Sequence, residues 1–321
     1  MTDRAALARA FLDGTDWARA RVAPLAGDAS NRRYDRLYHP DGRTAVLMDA
    51  PPEKGEDVRP FARIARHLSG IGLSAPGILA EDAEHGFLLI EDLGDGLFSK
   101  VIPADPALET PLYEGATDVL VALHAAPLPN LDSYSPSLMA ELAGLAFSKY
   151  RDRIVGGSDE TLKERFRARF EDILAQNLPG QPVLIQRDYH ADNLLWLPDR
   201  QGVARVGLLD FQDAMSGHCA YDLVSLLQDV RRDVSPRVEA AMIARYVEAT
   251  GADDHAFRTA YAVLGTQRNL RILGVFARLG TDYGKPRYVG LIPKVWAVLL
   301  PNLEHPVLAP IAEMLLRELP P

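Results

Sequence analysis

Residues Val183 to Asp222 read VLIQRDYHADNLLWLPDRQGVARVGLLDFQDAMSGHCAYD, and three polar groups in this stretch decide the fold. Asp188 and Asn193 stand five apart in a short loop between two apolar, strand-like runs, Val183 to Ile185 and Leu194 to Leu197. Asp210 ends a third run, Val206 to Leu209. Phosphoryl transfer to a hydroxyl needs one carboxylate to orient or deprotonate that hydroxyl, with an Asn and a second Asp to hold the magnesium that neutralises phosphate charge. Asp188 fits the first role, and Asn193 and Asp210 fit the second. A β-loop-β hairpin is expected here, because it can aim a base and a metal ligand at one point where a helix would scatter them. His190 reads as a brace for the loop. Asp222, at the start of an apolar helical run, reads either as a helix cap or as a buried brace for the same loop.

The Asp-x-x-x-x-Asn element resembles the protein-kinase catalytic loop, and Asp210-Phe211-Gln212 stands where that family has its Asp-Phe-Gly metal motif. Composition sets the frame around it. A chain of 321 residues with 47% hydrophobic content can bury substantial cores and suggests two domains or two lobes. The single Cys219 excludes an internal disulfide framework and fits a reducing compartment, where it reads as inert packing. A formal net charge of −9 argues against nucleic-acid binding through phosphate contacts. The N-terminal MTDRAALARAFLDG is an amphipathic helix without the apolar core of a signal peptide. No apolar run reaches the roughly 18 residues of a membrane span, since VGLIPKVWAVLLPNL is broken by Pro293, Lys294 and Pro301. A cytoplasmic protein with no membrane association and no obligate protein partner is expected.

Along the chain, extended segments are expected at Ala20 to Leu25, Arg32 to Tyr38, Arg43 to Asp49, Ile78 to Ala80 and Gly86 to Glu91, with one helix from Asp57 to Leu68 between them. His39-Pro40-Asp41-Gly42 is a hairpin turn signal. Beyond Asp105 the periodicity predicts helices over 106–125, 136–152, 159–177, 219–230, 236–250, 254–279 and 290–300. The chain therefore reads as α+β, a two-lobe fold with a small β-rich N-lobe (residues 1–92) that binds nucleotide and a larger α-helical C-lobe (residues 93–321) that carries the catalytic loop and substrate site. Internal repeats and Gly/Ser tethers are absent from the sequence.

The catalytic loop, the metal Asp, the Tyr221-Asp222-Leu223 segment and the lobe order together resemble the aminoglycoside phosphotransferase and choline kinase-like superfamily. Gly27-Asp-Ala-Ser-Asn-Arg-Arg-Tyr34, Met48-Asp-Ala-Pro-Pro-Glu-Lys54, Gln267-Arg-Asn-Leu-Arg-Ile-Leu-Gly-Val-Phe-Ala-Arg-Leu279 and Asp282-Tyr-Gly-Lys-Pro-Arg-Tyr288 are similar to the bacterial anomeric kinases of cell-wall amino sugars. The resemblance implies a protein kinase-like fold using ATP and Mg2+. It also implies phosphorylation of the C1 hydroxyl of N-acetylmuramate, and of N-acetylglucosamine, feeding UDP-amino-sugar synthesis in peptidoglycan recycling. In such a fold Leu88 to Asp95 is the hinge: Glu91 and Leu93 offer backbone hydrogen bonds to adenine, and Asp95 reaches the ribose. Gly27 to Arg33 lies where the phosphate-covering loop belongs, with Ser30, Asn31, Arg32 and Arg33 as candidate contacts, although a plain polar turn accounts for the same residues.

The third strand departs from the superfamily pattern, since Met48 and Asp49 occupy the end where many kinases have a phosphate-holding Lys. Lys54, Arg32 and Arg33 are the candidates to replace it. On the helix over 254–279, Arg268, Arg271 and Arg278 fall at spacings of three and seven on one face. They suit an anion such as the lactyl carboxylate of N-acetylmuramate, or else form a solvated basic face. Tyr150 reads either as an acceptor contact or as core packing. Choline, homoserine or aminoglycoside acceptors, and a nucleotide-binding pseudokinase, are the alternatives.

Overall fold

A computed structural model describes residues 3–25, 31–157 and 159–321. In chain order the elements begin α1 (Arg4–Asp13), β1 (Arg21–Pro24), β2 (Arg33–Tyr38), β3 (Thr44–Asp49), α2 (Arg59–Gly70), β4 (Ile78–Asp82), β5 (Phe87–Glu91), α3 (Phe98–Ala104) and α4 (Glu109–Ala125). They continue with α5 (Pro136–Ala143), α6 (Asp152–Val155), α7 (Glu160–Asn177), β6 (Val183–Ile185), β7 (Leu194–Trp196), β8 (Val206–Leu208) and β9 (Met215–Gly217). The chain closes with α8 (Ala220–Leu227), α9 (Pro236–Thr250), α10 (Asp254–Thr281), α11 (Ile292–Leu303) and α12 (Ala309–Glu318). The chain divides into two compact units, residues 1–119 with 192–214 and residues 120–191 with 215–321. That division differs from the expected 1–92 and 93–321 because α3, the first part of α4 and the β7–β8 pair group with the N-terminal sheet.

In the first unit the five strands order as β1-β2-β3-β5-β4, every neighbouring pair antiparallel. β3 and β5 are the central strands, and apart from Thr44 and Glu91 at their ends all their residues are buried, which is why both read as apolar runs rather than alternating ones. Phe61, Ile64, Ala65 and Leu68 give α2 its buried stripe. Ser74 bridges to Gly207 and accepts from the Leu208 amide at 2.8 Å, so the chain leading into β4 is stitched to β8.

The second unit is built on α10. Asp253 caps it by accepting from the Ala256 amide, and the helix packs against α5, α7, α8 and α11. A helix so surrounded loses its polar face, and Gln267, Arg268 and Asn269 are buried along with its apolar residues. Phe147, Phe166 and Phe170 stack beside it, with neighbouring ring centroids 4.8 and 5.3 Å apart.

Several expectations are corrected. β6 and β7 do not form a hairpin: β6 pairs with β9 and β7 with β8, each strand satisfying its backbone with a later segment. The helix expected over 136–152 breaks after Ala143 and resumes as a π-helical turn over Ala146–Arg151. α3 was not expected, its interior Pro103 hiding the signal. No single helix among the described residues is long and apolar enough to cross a membrane.

Candidate active site

In the first unit a cleft of about 330 Å3 lies between apolar walls that include Val46, Ile90, Leu195 and Leu209, and Asn193 and Asp210 are among its polar lining. Glu91, Leu93 and Asp95 line it too. Such a volume falls in the range of about 300–1,000 Å3 usual for small-ligand clefts. Asn193 Nδ2 donates to Asp210 Oδ2 at 3.4 Å, and the Asn193 carbonyl accepts from the Leu209 amide at 3.0 Å, so β7 and β8 deliver the pair together. Asp210 has φ of +57°, a left-handed conformation that costs a non-glycine residue energy and is concentrated at functional positions. Next to it, Phe211 is buried against Phe61 of α2 with ring centroids 4.8 Å apart, and Gln212 Nε2 donates to Asp210 Oδ1 at 2.7 Å.

The charges in this unit are shared out in pairs. Arg32 Nη2 lies 3.7 Å from Asp210 Oδ1, and Arg32 Nε lies 3.6 Å from Glu56. Arg33 and Lys54 are exposed, and Asp49 is tied to Arg4, so of the cations proposed to replace the strand-three Lys, Arg32 stands beside the metal-type carboxylate. Asn31 faces the same corner, its amide donating to Glu56 Oε1 at 3.1 Å. Ser30 lies outside the described residues. Arg36 grips Asp95 and Asp92, donating to Asp95 Oδ2 at 2.9 Å and to Asp92 Oδ1 at 3.0 Å, and the Arg36 hydrogen bond holds the Asp95 carboxyl below its ordinary pKa. The Glu91 side chain accepts from the Gly77 amide and pairs with Arg200, and the Glu91 backbone N–H donates to the Gly77 carbonyl at 2.8 Å, so neither is turned to a ligand. A Cβ at Gly96 would stand 2.7 Å from the Trp196 carbonyl, so glycine lets this segment close onto β7.

In the second unit, Asp188 follows Arg187, whose φ of +73° is the other positive value among described non-glycine residues. That strained corner is held from both sides. The Asp222 carboxylate accepts from the Gln186 amide at 2.6 Å and the Arg187 amide at 2.9 Å, and the Arg187 carbonyl accepts from Ser225 Oγ at 3.2 Å. Asp222 is therefore the buried brace, and burial pushes its pKa up to about 7 despite the two amides. His190 is buried and held neutral, its pKa pushed far down by burial and by the charges of Arg231 and Arg268.

Arg268 and Arg271 both stand close enough to Asp188 to interact with its charge. Arg268 is 4% exposed, which excludes a solvated basic face at that position, and its Nη1 is buried with no hydrogen-bond partner. Burial lowers its pKa while Tyr221, Asp229 and Asp188 oppose the shift. For Arg271 burial is outweighed by Tyr221, Tyr134 and Asp188, and its pKa rises. Arg278 lies farther along α10, where its charge acts on Asp282 beside Lys149. Tyr150 is the correction here: its ring is buried, and its hydroxyl accepts from Trp296 Nε1 at 3.1 Å and donates to the Pro320 carbonyl at 2.8 Å, so its hydrogen bonds are spent inside the core.

Sequence reasoning passed over Glu56, Asp92, Asp229 and Arg231, which meet Arg32, Arg36 and the field of Arg268 only through the fold. The one usable signal was Arg231 following Asp229 just after the Tyr-Asp-Leu segment. Asn193 and Asp210 fit magnesium, which takes one or two protein carboxylates and draws its other ligands from phosphate and water.

A curated relative from Caulobacter vibrioides named N-acetylmuramate/N-acetylglucosamine kinase is 39% identical, covering 96% of this chain and 94% of the relative. One of the same name from Pseudomonas aeruginosa is 36% identical, covering 92% and 88%. The crystal structure of a choline/ethanolamine kinase family protein from Mesorhizobium loti superposes with a TM-score of 0.65 at 14% identity over 97% of this chain and 98% of that one, which shows a shared fold. The sequence signature described as the phosphotransferase enzyme family matches residues 21–260. By that match and by these relatives, the chain belongs to the phosphotransferase enzyme family.

Proposed function

We propose that this enzyme transfers the γ-phosphoryl group of ATP, with Mg2+, to the C1 hydroxyl of N-acetylmuramate and also of N-acetylglucosamine. The sugar 1-phosphate would feed UDP-amino-sugar synthesis in peptidoglycan recycling. The names of its relatives support the substrate class. The observation that carries the acidic sugar is Arg268, a buried guanidinium whose Nη1 lacks a hydrogen-bond partner and which, with Arg271, acts on the charge of Asp188. A buried cation with an unsatisfied donor is costly, and a carboxylate ligand relieves that cost. Cationic acceptors such as choline or an aminoglycoside meet the opposite sign.

In this reading Asp188 accepts the proton of the C1 hydroxyl as its oxygen bonds to the γ-phosphorus and the bond to the ADP oxygen breaks. Asp222 keeps the loop in its strained shape. In the first unit, Glu91 and Leu93 meet adenine through their backbones, Asp95 turns toward the ribose from its grip on Arg36, and Asn31, Arg32 and Arg33 serve the phosphates. Asn193 and Asp210 hold the Mg2+, which neutralises phosphate charge. Arg268 and Arg271 take the lactyl carboxylate, and Arg278 extends the same helix face. ATP consumption measured with N-acetylmuramate, N-acetylglucosamine, choline and an aminoglycoside tests this directly. The two amino sugars should support turnover, and turnover restricted to choline or the aminoglycoside would refute the proposal.

A further inference from the structure

In the second unit Asp188, Asp229 and Arg231 lie close enough to Arg268 to act on its charge, and Asp188 acts on Arg271 as well. Arg268 and Arg271 come from α10, Asp188 from the catalytic loop, and Asp229 and Arg231 from the turn after α8. Asp229 is 1% exposed: its Oδ1 accepts from the Arg231 amide at 3.0 Å and lies 3.5 Å from Arg231 Nη1, and its charge also acts on Arg268. A buried carboxylate held in this way ties down Arg231, its guanidinium contact, and with its Oδ2 buried and unbonded it attracts the nearby Arg268 through charge alone.

Arg231 differs from the other two arginines in being exposed at the surface while anchored at one end by the buried Asp229. It is close enough to lower the pKa of both Arg268 and His190. Repulsion among like charges so placed is unfavourable until an anion enters. Around Asp188 the guanidiniums of Arg187, Arg231, Arg268 and Arg271 stand against the carboxyls of Asp188, Asp229 and Asp222, the last raised by burial to about 7, and neutral His190 adds no charge. Guanidinium is in excess, which suits an entering carboxylate.

We infer that Arg231 is a further specificity-determining residue, which with Arg268 and Arg271 holds the single carboxylate of an acidic sugar, and that Asp229 is the positioning residue that aims Arg231 and Arg268 at it. This rests on the reading of the acceptor as a carboxylated amino sugar. It extends that reading to a turn whose sequence carries no motif. The neutral N-acetylglucosamine makes no use of the arrangement, so the corner discriminates between two sugars that share the reacting hydroxyl.

Calorimetric binding of N-acetylmuramate and N-acetylglucosamine to the full chain, with no nucleotide and no turnover, tests it. Arg231→Ala should weaken N-acetylmuramate about tenfold or more, the cost of a charged hydrogen bond, and leave N-acetylglucosamine within about twofold. Retained N-acetylglucosamine binding also shows that the variant is folded. Arg231→Lys, which keeps the charge against Asp229 but not the planar fork, should recover part of the loss. In steady-state kinetics, Asp229→Asn should raise KM for N-acetylmuramate while sparing kcat on N-acetylglucosamine. If the unsubstituted protein binds the two sugars equally, the carboxylate reading itself fails. If it prefers N-acetylmuramate and Arg231→Ala keeps that preference, the role of Arg231 alone is overturned. An equal kcat loss on both sugars in Asp229→Asn would make Asp229 merely structural.

Discussion

The two units solve opposite electrostatic problems. The first presents an apolar slot and oxygen ligands, and its arginines are matched to acids: Arg36 to Asp92 and Asp95, Arg32 to Glu56 and Asp210. The second leaves an excess of guanidinium around Asp188, with Arg268 buried and one of its donors unsatisfied. A polyphosphate that arrives with its own cation needs oxygens and a few shared charges, whereas an acceptor carboxylate arriving alone needs uncompensated cations. The difference teaches that a negative protein can carry a positive corner, so net charge said nothing about the acceptor.

The largest effects should separate the units. Asp188→Asn should lower kcat by about 10² or more with nucleotide affinity nearly unchanged, since it removes the group that orients or deprotonates the acceptor. Asp210→Ala should lose magnesium-dependent ATP binding as well as rate. Titrating a fluorescent ATP analogue into each variant checks both, and nucleotide affinity lost in the first or kept in the second would break the division of labour.

Next in size is the acceptor corner. Arg268→Ala or Arg271→Ala should raise KM for N-acetylmuramate about ten- to a hundredfold more than KM for N-acetylglucosamine. Equal changes on both sugars would return the arginines to a structural role. A smaller effect is expected in the first unit, where Arg32→Ala should raise KM for ATP about tenfold and Lys54→Ala should hardly change it. The reverse order would make Lys54 the substitute for the strand-three Lys.

The smallest effect concerns the brace. The Asp222 carboxyl, ordinarily near 3.8, is raised by burial to about 7 in the folded chain, so its stabilising contribution is fully present below about pH 4 and is lost as pH rises through 7. His124 and His218, lowered by burial to about 3 and about 4, act with the opposite sign, since their contribution is lost as pH falls below about 6.5. That part is common to both proteins when Asp222→Asn is compared with the unsubstituted chain. The stability gap in urea midpoints should therefore narrow between pH 4 and pH 7, and a gap that widens would contradict a raised Asp222.

Much of the first unit was legible because its signals are local. The strand segments, the His39–Gly42 turn and the Asn193 and Asp210 pair lie on short, strongly patterned stretches, and the structure joins that pair by one hydrogen bond. The pairing of β6 with β9 was not legible, because an apolar run of three residues carries no information about which strand it will meet. The arginine spacing on α10 was visible, but its environment was not. Burial of Arg268, its partnership with Asp229 and the fate of the Tyr150 hydroxyl depend on α8, α11 and the C-terminal residues packing around one helix.

Phosphorus NMR of the product formed from N-acetylmuramate and ATP tests the central claim most directly. Phosphorylation at C1 predicts a sugar-phosphate resonance split into a doublet by the single anomeric proton. A triplet from the two protons of C6, or ATP consumed with no sugar phosphate formed, would contradict an anomeric kinase.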